Sequence, residues 1–507
     1  MKKVLILTLV ISIAFPLFSE LASYVPSSLQ VYSEVKNLQY VVDYLGKKDF
    51  PFLVTLHKLN IDTKKPLSYY YLSIPTSYGL VANLKNKTLP QDLISSQEEY
   101  KELKIFSLKN PLKGLRYAVQ YKGLLFLTSD IPTARKIIEV IKNKESLSQR
   151  KEYKSALKEH GDGIFFAFLD LKSVVNSFLP FLNLISQGNI QKSSDPIQEL
   201  ITKVNVKRAI EKLQELNFLF LNINFKKETV WIKKVVYFHK LPKLPTQKLT
   251  YFSFLPSESI LGIDFLLDFK NEEEINRFYE ELEREGSSLS EKDKKRLRKM
   301  KGATLEFWKK LKESIYPELG VSASIGKEEF PSLLVVSKIK EKKFFKDIIN
   351  SPEEFLSPFN LFSEELQIQA LPDTDYMGEK IKGFELKIPG RGEKIKIFFM
   401  FVDEYFLVNV GKDNAGIKKG YGTIKREEKN LNHLPHVLSM FESFPSNVSV
   451  KFYISPAQIF SLVTGKTFPA EGIGGVVYPR GNTIISEAKW KKELLSLFLS
   501  IPPPERD

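Results

Sequence analysis

The chain has 507 residues, more than one hydrophobic core normally serves, so two domains are expected. Hydrophobic residues at 43% and charged residues at 27% exclude a disordered or fibrous protein, and the absence of cysteine excludes disulfides, thiolate metal sites and a lipid carried on cysteine. The formal net charge of +15 is spread through mixed-sign runs such as Glu291 to Lys299, which read as solvated helix faces; the functional alternative is attraction to an anionic partner.

The first predicted element is a leader. Lys2 and Lys3 precede an almost wholly apolar stretch from Val4 to Phe18, and small residues follow at Ser19, Ala22 and Ser23. That layout is a secretory signal peptide over residues 1–23, with a cut after Ser19 or after Ser23, and its apolar part is too short to span a membrane. The mature chain is expected to hold no transmembrane segment and to be exported, periplasmic or extracellular, and associated with the envelope or its surface. The leader speaks against nucleic acid as a partner, as does the lack of helix-turn-helix, zinc-finger and RNA-binding aromatic patterns.

From residue 24 the chain reads as two copies of one module. Val25-Pro26-Ser27-Ser28 opens an apolar strand from Leu29 to Val35, with a helix at Leu38 to Leu45; Leu255-Pro256-Ser257-Glu258-Ser259 opens Ile260 to Phe265, with a helix at Glu272 to Leu282. The strand at Leu80 to Lys85 has its counterpart at Val335 to Lys340. The clearest match is a hairpin with a two-residue turn that runs into a helix entry. In the first copy it is Leu115 to Tyr121, Lys122-Gly123 and Leu124 to Thr128. In the second it is Ile397 to Val402, Asp403-Glu404 and Tyr405 to Val410. Gly163 to Asp170 and Val448 to Ile454 then each lead into a helix. Strands at Phe218 to Phe225 and Val230 to Phe238 alternate with period two and end the first copy. Leu241-Pro242-Lys243-Leu244-Pro245-Thr246 is the expected linker.

The expected architecture is therefore α+β: two tandem, duplicated modules at 24–245 and 246–500, each a mainly antiparallel sheet with helices on one face, and a short tail at 501–507. The second module is expected to carry insertions near 286–316, a Lys/Glu-rich helix, and near 371–392, a loop rich in Gly, Pro and Asp.

No residue emerges as catalytic, cofactor-binding or metal-ligating. His433-Leu434-Pro435-His436 is a close pair, but Pro435 breaks the helix that would align two imidazoles, so both read as loop or surface histidines. Asp373, Asp375 and Glu379 match a calcium loop only in part and read as a solvated loop. Gly390-Arg391-Gly392 and Gly472-Ile473-Gly474-Gly475 lack the strand-to-helix setting of a phosphate loop, and the latter reads as a bend before the strand Val476-Val477-Tyr478. No nucleophile elbow, Walker lysine or zincin motif is present, and no two carboxylates are tied together as acid and base.

The leader, the repeated Pro-Ser strand entry (Val25 to Ser28, Leu255 to Ser259) and the hairpin running into small residues and a helix (Leu124 to Ala134, Phe406 to Ala415) resemble a family of exported bacterial proteins of unknown function with tandem α+β modules. The resemblance implies an address and a duplication, and no catalytic residues. The functional expectation is a non-enzymatic binding or scaffolding protein of the envelope, with an anionic envelope component or a lipid as the partner class and no cofactor. The alternatives are a lipid or amphiphile carrier, and an envelope glycan hydrolase that uses two carboxylates.

Overall fold

The computed structural model describes residues 21–45, 51–160, 163–188, 195–241, 244–269, 272–325, 331–352, 367–387, 394–464 and 472–494. The first ten strands are β1 (Val31–Val35), β2 (Leu67–Ser73), β3 (Ser77–Asn83), β4 (Ile94–Tyr100), β5 (Leu103–Leu112), β6 (Leu115–Tyr121), β7 (Leu124–Thr128), β8 (Phe165–Leu169), β9 (Leu216–Lys226) and β10 (Thr229–Phe238). There follow β11 (Gln247–Lys248), β12 (Leu261–Leu266), β13 (Ile315–Ile325), β14 (Pro331–Ile339), β15 (Gln367–Ala370), β16 (Thr374–Tyr376), β17 (Glu379–Lys387) and β18 (Lys394–Val402). The last are β19 (Tyr405–Gly411), β20 (Asn447–Val448), β21 (Val450–Ile454), β22 (Ile473–Arg480) and β23 (Thr483–Lys491). Together with the helices between them they make an α+β protein.

The chain divides into two compact units. One holds Met1–Phe178, Leu213–Leu241 and Gly481–Asp507; the other holds Leu179–Lys212 and Pro242–Arg480. In the first unit the strands run β4-β5-β6-β7-β3-β2-β1-β8-β9-β10-β23, every pairing antiparallel. In the second, β15 and β16 both pair with β17, and the order continues β17-β18-β19-β14-β13-β12-β21-β22, again antiparallel throughout. The order β5-β6-β7-β3-β2-β1-β8-β9 in one unit is thus matched strand for strand by β17-β18-β19-β14-β13-β12-β21-β22 in the other.

Local chemistry explains the shared hairpins. The turn between β6 and β7 places Lys122 and Gly123 at φ 48° and 79°, the left-handed region a tight hairpin needs, and Asp403 at φ 53° opens the matching turn between β18 and β19. The strand that follows the first turn, β7, is buried at every position, as its unbroken run Leu-Leu-Phe-Leu-Thr requires. Asp130 then caps the helix Ile131–Asn143, its Oδ1 accepting from the Thr133 N–H at 2.8 Å, and Lys144 closes the helix at φ 63°. That helix lies against β3, β5, β6 and β7, covering one stretch of the sheet.

Two expectations need correction. Within the segment near 371–392, the described residues 374–387 are not a loop: β16 and β17 form a hairpin there with Met377 and Gly378 at its turn, and Ile381 and Phe384 of β17 are buried. Gly474 and Gly475 do not bend the chain ahead of a strand but lie within β22, where a Cβ on Gly474 would come within 3.1 Å of Met440. Residues 1–20 lie outside the described residues, but Leu21–Tyr24 form a 3-10 helix of the fold, with Leu21 and Ala22 buried. The linker prolines split likewise, since Pro242 and Lys243 lie outside the described residues while Pro245 accepts a hydrogen bond from Ser449 Oγ at 2.7 Å.

Candidate functional site

The residues singled out in the sequence do not converge. His433 belongs to a short 3-10 turn, and its Nδ1 accepts from the Asn430 N–H at 3.2 Å. His436 is half-buried in the first turn of the helix Pro435–Phe441, with Nε2 3.0 Å from the hydroxyl of buried Tyr453, so this imidazole is a packed residue and not a loop one. Asp373 precedes β16, Asp375 lies within it and Glu379 opens β17, and among the described residues no group of three or more acidic, His or Cys side chains is placed to hold a metal. Gly390-Arg391-Gly392 lies outside the described residues. A small depression of about 140 Å³ beside the first Pro-Ser entry is polar, lined by Pro26, Ser27 and Ser28 with Lys136, Glu139 and Glu145 of the neighbouring helix and strand connection.

The site with unusual electrostatics lies elsewhere, in the middle of the second sheet. Asp264 on β12 is fully buried; across the ladder it faces Gly320 of β13 on one side and Lys451 of β21 on the other. Its Oδ2 accepts from the Tyr251 N–H at 2.7 Å. Glu318 of β13 takes the same N–H at 3.2 Å and accepts further from Thr250 Oγ1 at 3.0 Å and Gln247 Nε2 at 2.9 Å. Tyr251–Phe254 is a 3-10 helix with no capping side chain of its own, so these sheet carboxylates bind its otherwise unmet N–H groups. Gly320 permits this close approach, since a Cβ there would meet the Tyr251 Cβ at 3.0 Å.

Two acids on one N–H, sealed from water, disfavour double ionisation. Burial above all, and then the charge of Glu318, push the Asp264 carboxyl up from 3.8 to about 8. Asp264 is therefore largely protonated at neutral pH. Its Oδ1 accepts no hydrogen bond, and a proton there has Glu318 as its acceptor. Lys451 lies with Nζ 4.4 Å from the Phe252 ring and 4.5 Å from the Phe441 ring, and burial lowers its pKa although both carboxylates pull the other way.

The first unit carries an acid at the equivalent ladder position. Glu34 on β1 is fully buried and faces Ser68 of β2 and Phe166 of β8. The Tyr32 hydroxyl donates to its Oε2, within an aromatic cluster in which Phe166 is 5.5 Å from Tyr153 and 4.1 Å from Phe220. Burial raises the Tyr32 and Tyr153 hydroxyls well above their usual range, and the Glu34 charge adds to it. Sequence reasoning missed both acids. The available cue was a single acid inside an apolar strand near the start of each unit, Val31-Tyr-Ser-Glu-Val35 and Leu261-Gly-Ile-Asp-Phe265.

No family model and no curated protein matches the chain. Three solved structures that resemble it are crystal forms of TP0453. Form I has a TM-score of 0.25 at 6% identity and covers 45% of this chain and 81% of that one. Form III has a TM-score of 0.23 at 10% identity, with 52% and 99% covered, and form IV a TM-score of 0.23 at 9%, with 50% and 97% covered. Among the described residues no helix is long and apolar enough to cross a membrane.

Proposed function

We propose that this chain is an exported protein of the cell envelope, built by duplication of one α+β module, that binds or scaffolds an anionic envelope component and catalyses no reaction. One observation carries the non-enzymatic reading: the most perturbed acid, Asp264, is spent inside the fold. It is fully buried, and its hydrogen bond anchors the backbone of a 3-10 turn instead of facing a cleft. A glycan hydrolase needs its acid and base to reach a substrate, which Asp264 and Glu318 do not offer. The matched strand orders support the duplication, and the leader-like start supports export. The basic balance of 75 Lys and Arg against 60 Asp and Glu supports an anionic partner.

Scaffolding by strand addition at the β4 edge is less favoured. Among the described residues β4 pairs only with β5, and Glu98 and Glu99 on it discourage edge-to-edge pairing. The test is native mass spectrometry of the protein extracted gently from its own envelope. A co-purifying anionic lipid or polymer fragment is the expected result. Recovery from the cytosol, or turnover of envelope glycan that Asp264→Asn abolishes, would sink the reading.

A further inference from the structure

The mixed-sign run Glu291 to Lys299 opens the helix Glu291–Ser314 in the second unit. Its inner side carries Leu297 and Met300, buried in one cluster with Tyr279 and Leu282 of the helix Glu272–Glu285 and with Leu200 and Val204 of the helix Pro196–Gln214. The cations that flank this packed side have their own counter-ions. Arg296 Nη1 lies 2.9 Å from Asp195, Lys301 Nζ 3.7 Å from Glu283, and Lys294 Nζ 3.0 Å from Glu291. The acids of the neighbouring helix are engaged as well. Glu281 is held by Lys207 at 2.9 Å and by Arg208 at 3.0 Å, and Glu285 by Lys207 at 3.1 Å.

The outer side differs. Lys292, Lys295 and Lys299 follow one another at spacings of three and four, on the side away from Leu297, and all are exposed, as is Arg298 beside them. Among the described residues the ion pairs of this helix fall on Lys294, Arg296, Lys301 and Lys310, and not on these four. Gly302 continues the row, and a Cβ there would meet nothing within 4 Å, so the row is open to solvent at its middle. Lys309, also exposed, extends it to about 25 Å at the helical rise. Glu306 interrupts it, but Lys310 holds that acid at 2.7 Å. Like charges three and four residues apart repel, a cost that an anionic partner relieves.

We propose that this row docks the protein on a bilayer surface of anionic lipid headgroups. The proposal rests on the reading of an anionic envelope partner, and gives that partner a kind and a place. Two features favour a lipid surface over a soluble polyanion or a glycan. The row runs along the convex outside of a helix and not in a groove that would hold a polymer strand. It carries no aromatic side chain to stack on a sugar. Its lysines meet phosphates as point charges, and four or more cations on one helix face are drawn to anionic headgroups.

The experiment is co-sedimentation of the protein, purified from its own envelope, with vesicles of equal parts phosphatidylglycerol and phosphatidylcholine. Vesicles of phosphatidylcholine alone and soluble polyphosphate are the comparisons. Binding to the anionic vesicles alone is expected, with release in about 1 M salt, where the screening length falls to about 3 Å. The triple variant Lys292→Gln, Lys295→Gln, Lys299→Gln should bind about 100-fold more weakly. The control is Lys151→Gln, Lys154→Gln, Lys158→Gln, which removes three exposed lysines at the same spacing from the helix Lys151–His160 of the first unit. It should lose less than about threefold. All six sites are exposed and Gln forms helix as well as Lys does, so both variants keep the fold. Equal losses in the two variants, or vesicle binding unchanged in the first, would overturn the docking face and leave the anionic partner standing. Polyphosphate bound as tightly as vesicles, phosphate for phosphate, would replace the bilayer with a soluble polymer and overturn the proposal. Equal binding to both kinds of vesicle would overturn it too. Binding to no anionic probe would sink the proposal and the anionic partner with it.

Discussion

Glu34 and Asp264 occupy one ladder position in two sheets of the same strand order, yet each buried acid is stabilised differently. Glu34 sits in an aromatic cluster and takes a phenolic hydroxyl, with Phe166 opposite. Asp264 has Lys451 opposite, shares a backbone N–H with Glu318, and keeps a proton to about pH 8. The difference lies in what covers each acid. A side chain at full length, Tyr32, reaches Glu34 from the same strand face, whereas Gly320 clears space for backbone to descend onto Asp264. One fold position thus tolerates a buried carboxyl in two ways: a neutral donor supplied by the core, or a proton retained by the acid itself.

The largest expected effect tests the aromatic side of this comparison. Phe166 is fully buried among Tyr32, Tyr153 and Phe220, and Phe166→Ala should cost about 3–5 kcal/mol, read by denaturant unfolding. A loss under about 1 kcal/mol would mean that the cluster collapses onto the gap and is not a rigid cradle for Glu34.

Next comes the pH dependence of the other acid. A carboxyl raised from 3.8 to about 8 takes up a proton on folding anywhere in that window. Its stabilising contribution is complete below about pH 4 and is lost as pH rises to about 8, at up to about 1.4 kcal/mol per pH unit. Asp264→Asn keeps an acceptor for Tyr251 N–H and gains a donor toward Glu318, so the variant should be more stable than the parent at pH 8 and lack this slope. Parallel slopes for parent and variant would show that Asp264 is ionised throughout. Tyr32→Phe is the matching test in the first unit. It removes a donor from buried Glu34 and should cost about 1–3 kcal/mol.

These two acids also mark where reading the sequence stops. The hairpins around Lys122-Gly123 and Asp403-Glu404 were legible because turn chemistry and the flanking apolar runs are local. The β16–β17 hairpin was not, since Glu379-Lys-Ile-Lys-Gly-Phe-Glu-Leu-Lys387 carries charge and a glycine at positions that read as loop, while its buried Ile381 and Phe384 are too few to announce a strand. Gly474 likewise reads as a bend, because its reason for being glycine is Met440, thirty-odd residues away in sequence. The Asp264 site lay further out of reach. It joins Gln247 and Thr250 to residues on three strands, and only the fold makes Glu318 and Lys451 its neighbours. The strand equivalence that pairs Glu34 with Asp264 was half visible, through the Pro-Ser entries that precede both strands.

The smallest effect addresses the last strands of the two strand sets, β10 and β23, which pair with each other in one sheet. Their ladder runs from Thr229 opposite Lys491 to Tyr237 opposite Thr483, and at its midpoint Lys233 faces Glu487. Each is the fifth residue of its strand. Two identical strands paired this way would oppose like with like there, which a cross-strand pair penalises if the residue is charged. Lys233 Nζ instead lies 3.5 Å from Glu487 Oε1, a side chain only 7% exposed, so the midpoint of the ladder is an attractive pair. Glu487→Lys should cost about 0.5–1 kcal/mol by setting like charges opposite each other, and Lys233→Glu about the same. The double swap, Lys233→Glu with Glu487→Lys, should recover most of the loss. If instead the two single costs simply add, the pair does not couple, and the ladder is held by its backbone hydrogen bonds and its apolar neighbours alone.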